Sequence, residues 1–358
     1  MKYYRIKENH GKKVMIIDEP IPKIIYPNYQ SLIDEKSKID TMDKKDWSNS
    51  KKNMNKYEYV YTSANIIKNV CNILPVSRSY YKLHEMIFDY NILHMGNKIA
   101  CIAEGPGGFI HCINDLNSMV DYNINEIYGI TLISKDKKIP FWNKNILKNP
   151  INKISYGNDN TGDIYKLENI ESFVEYVGES TCDLVTADGG FDYSNDYNSQ
   201  ENLSYHLLFC EIYTSFRIQK RGGTFIIKFF DLFNHQTIQL LYLLYNHYSI
   251  VEFYKPSLSR PSNSEKYIIC LDFLGINCDL RKYIDNPDKF FIKIPDSFVK
   301  DIFNYNDIFI KEQINSIKRI IENKNISDIP DKEQITIAQR WCELYKLPIN
   351  NNCIYLNI

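Results

Sequence analysis

No two cysteines in this 358-residue sequence stand at the CxxC spacing of a zinc or redox site. The nine cysteines, Cys71, Cys101, Cys112, Cys182, Cys210, Cys270, Cys278, Cys342 and Cys353, are odd in number and scattered. They give no disulfide framework and read as reduced core thiols. No stretch approaches the ~18 apolar residues of a membrane span. The first twenty residues interleave charged and apolar side chains without a signal-peptide core, so a soluble, intracellular, cytoplasmic protein that is not secreted is expected. Net charge is nearly absent too. Lys and Arg number 43 against 44 Asp and Glu, so a polyanion must be met by a local patch and not by the whole molecule. Spaced Gly-x-Gly-x-x-Gly and Gly-Lys-Ser/Thr motifs are missing, which removes the dinucleotide and P-loop fingerprints. What is present is a globular balance of 44% hydrophobic and 24% charged residues, enough for a packed core. The abundance of Tyr, Asn, Ile and Lys fits an AT-rich genome, such as that of a large cytoplasmic DNA virus.

Residues 1–60 are polar and lysine-rich and read as a loosely built extension, with Lys44, Lys45, Lys51, Lys52 and Lys56 clustered in 43–56. Helical spacing is then expected around Ile66, Ile67, Val70 and Cys71, and again at Tyr80, Leu83, Ile87 and Tyr90. Beyond these, strands at 98–104, 126–133, 152–157, 182–188 and 222–230 alternate with helices at 108–119, 167–177, 200–221 and 235–248. Strands at 249–255 and 266–273 close the series as an antiparallel hairpin. Repeated βα units require a mostly parallel sheet with helices on both faces, an α/β, Rossmann-like class. The expected division is a partly helical extension over 1–75, a sheet domain over 76–275 and a mostly helical appendage over 276–358.

In such a sheet, ligands bind beyond the carboxyl ends of the strands. Four unusual features fall there. The turn Glu104-Gly105-Pro106-Gly107-Gly108-Phe109 opens a helix, and glycines let a backbone approach a ligand closely, although a tight turn alone would also use them. Asp188, in Thr186-Ala187-Asp188-Gly189-Gly190-Phe191, ends an apolar strand with no helix following at once to be capped. Lys228 interrupts the apolar run 223–233, so it either faces solvent at an edge or has a buried partner. Glu265 precedes the last strand, after Ser259-Arg260-Pro261-Ser262-Asn263-Ser264, where a solvated loop acid is the alternative.

Together with Ser77-Arg78-Ser79-Tyr80-Tyr81-Lys82-Leu83-His84-Glu85 and Gln339-Arg340-Trp341-Cys342-Glu343-Leu344-Tyr345, these segments resemble the FtsJ-like RNA 2′-O-methyltransferases. Within that family they are most similar to the mRNA cap enzymes of eukaryotes and large DNA viruses. The resemblance spans roughly 60–275 and implies a catalytic Lys-Asp-Lys-Glu set on Lys82, Asp188, Lys228 and Glu265. It implies S-adenosylmethionine as cofactor, held by Glu104, Gly105, Pro106, Gly107, Gly108 and Phe109, with Asp163 of Gly162-Asp163-Ile164 on the adenine and Asp188 nearby. Many related methyltransferases end the second strand with an acid for the ribose, whereas this chain has Gly129-Ile130-Thr131, so Thr131 is the candidate there. The implied substrate is the capped 5′ end of mRNA, modified on the first transcribed nucleotide, with other capping or transcription proteins as candidate partners. A second-nucleotide enzyme, a ribosomal or transfer-RNA enzyme and a silent RNA-binding subunit are the alternatives.

The chemistry suits the residues. A ribose 2′-OH is a poor nucleophile that must lose its proton and be held in line. A lysine can take that proton if a second ammonium and desolvation depress its pKa while carboxylates orient it. Lys228 is the candidate base and Lys82 the candidate stabiliser of the alkoxide; no metal is required. For RNA, the stretch 134–153 carries six lysines against one aspartate, with Phe141 and Trp142 between them. Lys135, Lys137, Lys138, Phe141, Trp142 and Arg260 are therefore the candidate RNA contacts, on the logic that cations track phosphate and rings stack on bases. A solvated loop with two core aromatics is the alternative, and the lysines of 43–56 are a second candidate surface.

Overall fold

The structure, a computed structural model, describes residues 2–6, 14–17, 24–120, 122–191, 197–323 and 329–356. An eight-stranded sheet forms its centre. The central strands are β3 (Lys98–Ile102), β4 (Glu126–Ile130), β5 (Asn152–Ser155), β6 (Cys182–Ala187) and β7 (Gln219–Phe229); flanking them are β8 (Tyr248–Tyr254), β9 (Lys266–Phe273) and the N-terminal β1 (Tyr3–Arg5). The order is β1-β8-β9-β7-β6-β3-β4-β5, and a separate two-stranded sheet pairs β2 (Ile16–Ile17) with β10 (Phe291–Ile292). Strands β5, β4, β3, β6 and β7 run parallel, and β9, β8 and β1 add antiparallel pairings. In β3 and β6 the run of apolar residues does not alternate, because both faces are covered by helices and both must be dry.

The helices follow the same logic. In α6 (Leu167–Val177) the buried apolar residues Ile170, Phe173, Val174 and Val177 recur at helical spacing and form one stripe. The other connecting helices are α4 (Gly108–Val120), the short α5 (Lys144–Lys148), α7 (Gln200–Ile218) and α8 (His235–His247), with α3 (Ser79–Tyr90) leading into the sheet. Among the described residues no helix is long and apolar enough to cross a membrane.

Three expectations need correction. The helix read around Ile66–Cys71 is only a single 3-10 turn, Ile66–Lys68. Val70 and Cys71 lie beyond that turn, donating to the carbonyls of Tyr59 and Val60 at 2.8 and 3.2 Å, and Cys71 forms a bridge with Ile349, so their burial comes from tertiary partners and not from a helical stripe. The helix read to 221 stops at Ile218, because Gln219 is already paired with Cys182 in the sheet. Finally, the described parts of the N-terminal extension are tied to the rest of the fold and not loosely built. β1 pairs with β8, Tyr3 opposite Tyr254. The N-terminal helices α1 (Tyr29–Ser37) and α2 (Lys44–Asn53) lie beside the long C-terminal helix α9 (Asp296–Glu322). Phe298, Ile302, Tyr305 and Phe309 of α9 share one hydrophobic core with the sheet. Trp341, on α10 (Lys332–Leu344), joins the core on the other face and donates to Glu85 at 3.1 Å.

Candidate active site

Register brings the site residues together. Ile102 of β3 lies opposite Ile130 of β4 and Ala187 of β6, and Ala187 lies opposite Ile227 of β7. The loops after β3, β4 and β6, together with Lys228, therefore open on one edge, at the point where the strand order reverses. Because β9 is antiparallel to β7, it begins where β7 ends: Lys228 is opposite Tyr267 and Phe229 opposite Lys266. Glu265, one residue earlier, is thereby delivered beside Lys228. Lys82 comes from the opening turns of α3.

The four side chains form two ion pairs. Lys82 Nζ is 2.7 Å from Glu265 Oε1, and Lys228 Nζ is 3.2 Å from Asp188 Oδ1 and donates to the Asp188 carbonyl at 2.7 Å. Side-chain exposure is 12–13% for all four, so they are withdrawn from bulk water yet reachable from a cleft. Burial opposes the charge on Glu265, but Lys82, Lys228 and Lys255 outweigh it and hold the carboxyl at about 2. Lys228 departs from expectation. Burial pulls its pKa down, yet Asp188, Glu265 and Glu211 win and hold it above the ordinary lysine value, so the resting amine is protonated.

A cleft of about 1260 Å³ runs past these groups. At one end it is bounded by Gly105, Pro106, Thr131 and Asp163, with Asp188 following; Thr131 Oγ1 accepts from Gly105 N–H at 3.0 Å. At the other end stand Arg260, Gln313 and, from α2, Trp47 and Lys51. Lys51 belongs to the second lysine stretch, whereas Trp47 was not singled out from sequence. Lys82 stands behind Glu265 and is not part of the cleft wall.

Several expected contacts are placed elsewhere. Phe109 is fully buried, tilted against Tyr267 at 6.0 Å, and serves the core, not a ligand. Gly107 and Gly108 are buried behind the loop, and a Cβ on Gly108 would lie 2.1 Å from Ser77 Oγ, so that glycine answers to helix packing. Glu104 is buried, its Oε1 accepting from Phe109 N–H, while Oε2 has no hydrogen-bond partner. Burial and Asp188 push its carboxyl well up. Trp142 is only 2% exposed and cannot stack on a base: Gly129 lacks a side chain, and the Trp142 ring fills that space, 3.0 Å from where a Cβ would stand. Phe141 is 53% exposed, and Lys135, Lys137 and Lys138 are exposed, but only Lys138 borders the cleft. Arg260 lines it with its guanidinium shared with the buried Glu58, at 2.7 and 3.1 Å. Glu58 also receives Arg78, at 3.3 and 3.4 Å. Burial resists its charge, but Arg78 and Arg260 hold the carboxyl below the usual range. Glu58 and Glu211 are site-supporting residues that sequence reasoning passed over. The signal for Glu211 was a lone acid in the apolar interior of 207–216.

Residues 75–273 match the FtsJ-like methyltransferase family. The cap-specific mRNA (nucleoside-2′-O-)-methyltransferase 1 of Dictyostelium discoideum is 28% identical over 350 residues, covering 87% of this chain and 45% of that protein. The cap-specific mRNA (nucleoside-2′-O-)-methyltransferase of Autographa californica nuclear polyhedrosis virus is 31% identical over 209 residues, 58% of this chain and 75% of that protein. The cap-specific mRNA (nucleoside-2′-O-)-methyltransferase 2 of Danio rerio is 34% identical over 248 residues, 61% of this chain and 32% of that protein. The chain thus spans less than half the length of the slime-mould and fish proteins. Since the matched segment takes in Lys82, Asp188, Lys228 and Glu265 and the whole cleft floor between them, the chain belongs to the FtsJ-like methyltransferase family.

Proposed function

We propose that the protein is an S-adenosylmethionine-dependent mRNA cap methyltransferase that modifies the ribose 2′-OH of the first transcribed nucleotide. The observation that carries this reading is the meeting of the Lys228–Asp188 and Lys82–Glu265 pairs at the strand ends, beside a cleft long enough for cofactor and nucleic acid. FtsJ-like methyltransferases use S-adenosylmethionine, which supplies a methyl group already activated on a sulfonium. The residues fit such a ligand: Gly105, Pro106, Thr131 and Asp163 border one end, and the acids Asp163 and Asp188 on the cleft wall favour a ligand carrying positive charge.

The chain's own residues then act on the hydroxyl. Lys228, at the cleft wall, takes its proton when the amine is neutral, and Asp188 fixes the direction of that amine. Glu265, held by Lys82, faces Lys228 from the opposite strand and limits the freedom of the nucleophile. Trp47, Lys51, Arg260 and Lys138 border the path along which nucleic acid would lie, cations against phosphate and the indole against a base.

Capped mRNA is favoured over other RNA because the matched relatives carry that specificity in their names. The fish relative, of the second type, motivates one rival reading, methylation of the second nucleotide. The test gives radiolabelled S-adenosylmethionine to matched RNAs with and without a 7-methylguanosine cap. Nuclease digestion then assigns the labelled nucleotide. Label confined to capped RNA at the first nucleotide is expected; equal labelling of both RNAs would reject cap specificity.

A further inference from the structure

We propose that Glu211, on α7, is a positioning residue that holds Lys228 through the single peptide group joining Asp188 to Gly189. The inference rests on reading Lys228 as the acceptor of the hydroxyl proton. That peptide is gripped from both sides. Its carbonyl accepts from Lys228 Nζ at 2.7 Å, and its N–H donates to Glu211 Oε1 at 3.2 Å. A peptide group is planar, so fixing the N–H fixes the direction of the C=O and with it the seat of the amine. The contact is built closely: a Cβ at residue 189 would lie 2.2 Å from Glu211 Oε1 and 2.8 Å from Leu207 Cδ2. Glu211 is 1% exposed. A carboxyl so deeply buried is costly for a fold to keep, and one neutral N–H donor offsets little of that cost.

Charge adds a second coupling. Lys228 is faced by Asp188 from β6, Glu265 from the start of β9 and Glu211 from α7, all favouring the ammonium against burial. Glu211 is faced by Lys228 and Asp188. Burial, helped by Asp188, pushes its carboxyl up to about 8, while Lys228 and the Gly189 N–H pull it back. Glu104 lies against Asp188 from the loop after β3, and Tyr267 donates to Asp188. An ionised Glu211 therefore stabilises protonated Lys228, and its removal eases loss of the proton.

The test uses the full chain, Glu211→Gln and Glu211→Leu, with radiolabelled S-adenosylmethionine and a short capped RNA, following kcat against pH. Leu, which cannot accept from Gly189, should lower kcat by about 10- to 100-fold at unchanged KM for S-adenosylmethionine. Gln keeps an acceptor oxygen and should stay within about threefold. In Glu211→Gln, which keeps the geometry, the rising limb of the profile should move to lower pH, by roughly half a unit or more. A limb that does not move in Glu211→Gln, or equal loss in both variants with a matching fall in melting temperature, would overturn the proposal. A readout free of turnover separates this from the assigned reaction: the ε-carbon resonance of Lys228 in 13C-lysine protein, identified by its loss in Lys228→Met. If that resonance titrates at lower pH in Glu211→Gln while no RNA is methylated, the coupling stands and the assigned reaction falls. An unmoved resonance overturns the coupling whatever the activity.

Discussion

The hydroxyl of Tyr267 donates to Asp188 Oδ1 at 2.7 Å, the same oxygen that lies 3.2 Å from Lys228 Nζ. Tyr267 is also the in-register partner of Lys228 across β7 and β9. One carboxylate oxygen is thus shared between a neutral donor and a cation, which keeps Asp188 from swinging fully onto the lysine. Tyr267→Phe should remove a hydrogen bond to a charged group, worth about 1.5–3 kcal/mol. Single-turnover methylation should fall roughly tenfold while the affinity for S-adenosylmethionine is kept; calorimetry and a quench-flow assay on the same variant check both.

Lys228→Met should stop methyl transfer and leave cofactor affinity nearly intact. Gly105, Pro106, Thr131 and Asp163 border the cofactor end, and Lys228 is not among them. A positioned acid–base group contributes about 10²–10⁴-fold in rate. The contrary result is a variant whose melting temperature collapses while activity in the cold persists. Lys228 would then be a structural partner of Asp188, whose loss from a buried pair costs about 3–5 kcal/mol.

The pH dependence follows from the sign of the Lys228 shift. Burial pulls the amine down, but Asp188, Glu265 and Glu211 raise it beyond the ordinary value of about 10.4. Below that value the neutral fraction grows about tenfold per unit of pH. Single-turnover rates should therefore climb through pH 6 to 9 without levelling; a plateau near neutrality would point to a different base.

Phe141 and Trp142 are neighbours in sequence with opposite fates. Trp142→Ala should cost about 3–5 kcal/mol in denaturant unfolding, since it empties a filled site over Gly129. Phe141→Ala, at an exposed position, should change stability by less than about 0.5 kcal/mol. Trp47→Ala should weaken capped-RNA binding, by the ~1–3 kcal/mol of one stacked base, without changing S-adenosylmethionine affinity.

Gly107 has a φ of +104°, and a Cβ there would lie 2.9 Å from Ile146 Cγ1. Gly107→Val is therefore strained in its backbone as well as crowded, and it should shift the loop that carries Gly105 and Pro106. Loss of S-adenosylmethionine binding by calorimetry is the expected outcome, with Lys135→Ala as a control outside the cleft.

The parallel core was legible because its signals are local. The stripe of α6 and the apolar runs of β3 and β6 need no distant partner to be recognised, and the residues at the strand ends could be singled out before any geometry was known. What escaped depends on long-range contacts. Val70 and Cys71 have the apolar character of a helix face, but the carbonyls of Tyr59 and Val60 claim their N–H groups. Trp142 beside Phe141 looked like a base-stacking pair, and only the neighbouring strand's Gly129 decides that one ring is buried. The raised pKa of Lys228 escaped for the same reason: its sign depends on counting carboxylates from three separate elements, and Glu211 was not among those read from sequence.

One part of the cleft wall is built from segments far apart in sequence, since Trp47 and Lys51 of α2 line it together with Gln313 of α9, and α2 packs against α9. During synthesis the first strand leaves the ribosome some 250 residues ahead of its partner, Tyr3 waiting for Tyr254. The part of the cleft lined by Gln313 waits longer still, for α9. Contacts of such sequence separation form slowly and late. A nascent chain stalled before α9 would thus carry Gly105, Pro106, Thr131 and Asp163 without the wall that Gln313 supplies, so the two parts of the cleft would be completed at different times.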